Sequence, residues 1–96
     1  MKLLTKKLRE QFPRINGTDN IPLGEKRIIA KFFTPDSSLT WYAVEFDQED
    51  MFFGLVDGLE REWGYFSLKE LESIRGPSGL PIERDIYFGQ PQIKEI

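Results

Sequence analysis

Apolar residues fall into two kinds of spacing along the chain. Leu4, Leu8, Phe12 and Ile15 recur every three or four positions behind Thr5, whose side-chain oxygen suits a helix N-cap, so the spacing predicts a first helix closed by Pro13 and Asn16-Gly17. Lys26 to Thr34 reads instead as a strand packed on both sides, because Ile28, Ile29, Phe32 and Phe33 leave only Lys31 polar in its interior. Thr34-Pro35-Asp36-Ser37-Ser38 supplies a turn. In Thr40 to Asp47, strict alternation puts Trp41, Ala43 and Glu45 on one face and Tyr42, Val44 and Phe46 on the other. The polar stretch Asp47 to Asp50 makes a hairpin into a third strand, Met51 to Val56, which ends at the Asp57-Gly58 turn pair.

Leu59 to Glu62 reads as a further turn or a strand start before Trp63-Gly64-Tyr65-Phe66. Ser67 and Glu70 then match a capping box, Phe66 and Leu71 a hydrophobic staple, and Gly76-Pro77 a stop, which predicts a second helix over Ser67 to Arg75. Ile82 to Phe88 alternates as a last strand, followed by a frayed Gly89 to Ile96 tail. Strands joined by short turns imply an antiparallel sheet. The expectation is one compact α+β domain over residues 1 to 96, with about four antiparallel strands flanked by two short helices.

Composition narrows the chemistry more than the fold. Hydrophobic residues make up 40% of the 96 positions, enough to close a core, but there is no cysteine and no histidine. Disulfides, thiolate zinc sites, thiol nucleophiles and the usual general base are therefore excluded. Met1 to Leu4 followed by Lys6, Lys7 and Arg9 predicts no signal peptide, and no apolar run reaches membrane-spanning length, so a cytoplasmic location is expected. The net charge of −3 is unevenly spread. Residues 1–31 hold eight Lys/Arg against three Asp/Glu, whereas residues 32–72 hold two against ten. Such a middle segment repels phosphate backbones and attracts basic surfaces, so nucleic acid would have to use the amino-terminal third.

Phe32-Phe33-Thr34-Pro35-Asp36, Trp41-Tyr42 with Glu45, Phe52-Phe53-Gly54, Gly64 to Leu68 with Glu70-Leu71, and Leu80 to Asp85 together carry a resemblance. The chain resembles a small domain-of-unknown-function family (DUF2958-like) met on plasmids, conjugative elements and phages of bacteria, some of whose members bear a label of single-stranded DNA endonuclease. The resemblance implies an accessory protein of mobile elements, and it carries over no catalytic residues.

Several constellations are candidates for a site. Asp47, Glu49 and Asp50, with Asp57, Glu60 and Glu62, form an acidic set suited to docking a basic protein partner by charge complementarity. This non-enzymatic interaction module is the first reading. It needs no cofactor, and the chain would be a monomer or weak homodimer. The alternative is a Mg²⁺- or Mn²⁺-dependent single-stranded DNA endonuclease. Glu83 and Asp85, two apart on a strand, would project from one face about 6 to 7 Å apart, with Glu45 completing the metal site. Arg84 then serves as an anion anchor, helped by Lys31; its structural reading is an ion pair with Glu45 or stacking on Trp41. Trp41, Tyr42, Trp63 and Tyr65 offer base-stacking rings, but flanking acids favour a packing role.

Overall fold

The computed structural model describes residues 1–96. Five strands, β1 (Ala30–Phe33), β2 (Thr40–Phe46), β3 (Met51–Asp57), β4 (Arg61–Ser67) and β5 (Glu83–Arg84), form one sheet in the order β4-β3-β2-β1-β5. Every pairing in it is antiparallel. Two short helices, α1 (Lys6–Arg9) and α2 (Leu68–Ser73), complete an α+β fold. The strand beyond the expected four is β4. The Asp57-Gly58 turn returns the chain so that Arg61 through Ser67 pair with Asp57 through Met51.

Local signals account for both helices. Thr5 Oγ1 accepts the Leu8 N–H at 3.1 Å, but α1 lasts one turn because the Gln11 and Phe12 amides bond carbonyls only three residues back, tightening the chain before Pro13. Leu4 and Phe12 still face the core. At α2, Ser67 Oγ accepts the Glu70 N–H at 3.2 Å, and Phe66 and Leu71 are buried in the same cluster.

The sheet has a core on each face. On the first, Phe32, Phe46 and Phe52 are fully buried beneath Leu3, Leu4, Phe12, Leu68 and Leu71, so both helices cover this side. Each such ring contributes on the order of 2–3 kcal/mol by leaving water. Phe52 ties the cluster together, with ring centroids 4.5 Å from Phe46 and 5.4 Å from Phe66. The second core holds Ile28, Tyr42, Val44, Leu55 and Ile93.

Alternation along β2 fails at one point. The pairing with β3 slips between Ala43 and Glu45, a bulge that sets Glu45 opposite Phe53 and Phe46 opposite Phe52. Phe46 thereby joins Trp41 and Ala43 on the first face, the reverse of strict alternation. The expected frayed tail is ordered as well. Ile28 N–H donates to Pro91 O at 2.8 Å, Ile93 N–H donates to Lys26 O at 2.9 Å, and a capping box between Gln92 and Glu95 closes a 3-10 turn over Ile93–Glu95. The first expected strand shortens at its Lys26 end and the last at its Phe88 end, for related reasons. Lys26 to Ile28 bond this carboxyl-terminal segment, leaving β1 to start at Ala30. Asp85 accepts the Tyr87 N–H on its own side chain and so ends β5 in a turn.

Candidate functional site

The six acids of the expected docking set do not share a surface. Asp47, Glu49 and Asp50 sit at one end of β3 and Asp57, Glu60 and Glu62 at the other, separated by a seven-residue strand, about 20 Å. Three of them hold the fold. Asp47 Oδ1 accepts the backbone N–H groups of Glu49, Asp50 and Met51 at 2.8 to 3.0 Å. Its small degree of burial pushes the carboxyl up, but these three bonds together outweigh that and hold it below the usual range. Asp50 takes the Ser67 hydroxyl on Oδ2 and the Lys69 N–H on Oδ1. The Ser67 bond, then that of Lys69, lowers its carboxyl too. Asp57 pairs with Arg61 at 3.2 Å. Glu49, Glu60 and Glu62 make no side-chain bond.

The carboxylates of the metal alternative are likewise dispersed. Glu83 borders a cleft with Met1, Glu72 and Arg75, while Asp85 borders a different one. Asp85 also pairs with Lys31 at 3.6 Å and accepts the Tyr87 N–H at 3.0 Å. Glu45, 2% exposed, is enclosed elsewhere: its carboxylate accepts the N–H groups of Asn16 at 2.9 Å and Thr18 at 3.1 Å and the Thr18 hydroxyl. Lys26, also buried, donates to the Thr18 carbonyl and, at 2.7 Å, to its hydroxyl, so Thr18 bridges a buried cation and a buried anion. No group of three or more acids lies close enough to hold a metal ion.

Arg84 pairs with neither Glu45 nor Trp41. It lies opposite Phe32 on β1, and its Nη1 donates to the carbonyls of Lys2 at 2.9 Å and Leu3 at 2.7 Å, fastening the amino-terminal segment to β5. Its other guanidinium nitrogens make no hydrogen bond to the protein, and Arg84 lines a cleft of about 490 Å³ between α1 and the β1–β5 edge. Lys7 of α1 and Lys31 of β1 also line it. Lys31 is half-buried, its Nζ 5.0 Å from the Phe88 ring centre. Three cations thus border a space in which Asp85 is the single acid. With Asp85 paired to Lys31, a net positive balance remains from Lys7 and Arg84, which suits a phosphate or carboxylate group.

Lys31 and Arg84 were visible as anion-binding candidates in the sequence, whereas Lys7 reads there as an ordinary solvated helix position. The signal for it was the positive balance of the first 31 residues, which does not say where that charge lands. Of the four stacking candidates, Trp41 and Tyr42 are buried on opposite faces. Burial raises the Tyr42 hydroxyl pKa, with Asp57 adding to the shift and Arg61 opposing it. Trp63 and the 58% exposed Tyr65 remain accessible, with Phe53 between them at ring distances of 5.5 and 5.2 Å.

No helix is long and apolar enough to cross a membrane. A family model described as a protein of unknown function (DUF2958) matches residues 3–93. No curated protein and no solved structure matches the chain.

Proposed function

The chain belongs to the DUF2958 family, and from that premise we propose a non-enzymatic binding module of the cytoplasm that seats an anionic group, phosphate or carboxylate, between Lys7, Lys31 and Arg84. One observation carries the reading: Lys7 of α1, Lys31 of β1 and Arg84 of β5 line one cleft whose single acid, Asp85, is paired with Lys31, which leaves Lys7 and Arg84 as its unneutralised cations. A binding role is favoured over hydrolysis because Asp85, the acid of the cleft, is engaged by Lys31 and by its own turn, and Glu83 lies outside the cleft. The accessory role in mobile elements that the resemblance implies belongs to the same proposal. A basic protein partner would be met at an end of the sheet, by Glu49 or by Glu60 with Glu62, and not across a continuous acidic face.

The test is titration of the full chain with pyrophosphate and, separately, citrate, following the backbone amides of Lys31, Arg84 and Gln90 by NMR. Saturable shifts in these amides with one of the two anions are expected, undiminished by EDTA and weakened by added salt. Lys7→Gln combined with Lys31→Gln should reduce the affinity about tenfold or more. Absence of saturable shifts with both anions, or equal affinity in the double variant, overturns the reading.

A further inference from the structure

β4 is the outer strand of the sheet, paired with β3 on one side and with no strand on the other. Its seven residues contain no proline and no bulge, two of the devices that usually blunt an exposed edge, and its charges, Arg61 and Glu62, lie together at one end. The opposite edge is different: β5 is two residues long and ends in the Asp85 turn. Register with β3 places Arg61, Trp63 and Tyr65 on the same face as Asp57, Leu55 and Phe53, so an aromatic strip runs out to the open edge.

We propose that β4 pairs antiparallel with β4 of a second copy of this chain, about a two-fold axis at Trp63. A two-fold contact requires a self-complementary strand, and charge and space select the register. Centring on Gly64 would set Glu62 against the buried Phe66, and centring on Tyr65 would carry the partner's Arg61 past Ser67, where the strand gives way to α2. Centring on Trp63 places Arg61 across from the partner's Tyr65, a cation–π contact made twice, and Trp63 across from the partner's Trp63. Glu62 then faces the partner's Gly64, where there is room, since a Cβ added at Gly64 meets no heavy atom within 4 Å. Nucleic acid is disfavoured on the same strip because Asp57 offsets Arg61 there and Glu60 and Glu62 flank it. One strand pair is a small interface, so the dimer should have a dissociation constant of about micromolar or weaker.

Sedimentation equilibrium of the full chain across a wide concentration range tests this. The average mass should rise from one chain towards two. Tyr65→Lys sets like charges opposite each other twice and should weaken the dimer about tenfold. Tyr65→Glu sets opposite charges there and should keep or tighten it. The altered side chain is exposed, so both variants should retain the wild-type far-UV circular dichroism. A single-chain mass at every concentration, an unchanged dimer in Tyr65→Lys, or equal losses in both variants overturns the proposal.

Discussion

Glu45 holds the Asn16–Thr18 part of the loop before β1. Its carboxylate satisfies two backbone N–H groups and one hydroxyl, so Glu45→Ala would leave the N–H and hydroxyl of buried Thr18 without their acceptor and release the Asn16 N–H as well. A loss of about 3 kcal/mol is expected, read as a lower urea midpoint. Asp36 shows a second dependence of this kind. Its Oδ2 accepts the Ser78 N–H at 2.7 Å, and its Oδ1 is buried against Gly76 without a partner. A Cβ at Gly76 would overlap that carboxylate, so Gly76→Ala should cost about 1–3 kcal/mol by the same measurement. Neither dependence was legible in the sequence, where Gly76 reads as a helix stop and Glu45 as a metal ligand or an ion-pair partner of Arg84. Both arise from contacts between segments far apart in the chain.

At the scale of elements, α2, the β2–β3 hairpin and the Asp57-Gly58 turn were legible because their signals lie within a few residues. β4 was not, since the chain beyond that turn reads as either a turn or a strand start. Ser67 caps and Asp57-Gly58 turns wherever the rest of the chain goes. The limits of β1 and β5 were not legible, since they are set by the carboxyl-terminal segment and by the side chain of Asp85. The β2 bulge was hidden for a similar reason: Trp41 to Phe46 alternates without interruption, and only pairing with β3 reveals the slip. The junction of the β2–β3 hairpin with α2 carries a pH dependence. Asp47 and Asp50 are both held below the usual carboxylate range in the folded chain, so they release protons more readily there than when unfolded. Their contribution is therefore complete above the unfolded carboxylate value of about 3.9 and is lost as the pH falls through their lower folded values. Urea midpoints should drop on acidification in the wild type. In Asp47→Asn with Asp50→Asn the drop should be shallower; an equal slope would place the acid sensitivity elsewhere.

For the molecule as a whole, the second core makes the carboxyl-terminal segment structural. Ile93 is buried against the Ile28, Tyr42, Val44 and Leu55 cluster, and Ile93→Ala should lower stability by about 2–3 kcal/mol in cooperative urea unfolding. A change below 0.5 kcal/mol would mean that the segment lies loosely on the sheet. The fold class was readable from the order of strands and turns, but the distribution of charge was not. The sequence places ten acids within residues 32–72, yet folding divides the six docking candidates between two ends of β3. It gathers Lys7, Lys31 and Arg84, which are far apart in the chain, around one cleft. Charge counted along a chain says little about charge facing a ligand.

The two indoles occupy unlike surroundings, Trp41 sealed in the larger core and Trp63 at the open margin of the sheet. The molecule therefore contains two built-in optical reporters that single Trp→Phe replacements would isolate. Emission from Trp41 alone would follow melting of the interior. Emission from Trp63 alone would shift to shorter wavelength when its strand acquires a neighbour, so global unfolding and self-association could be watched separately in one cuvette.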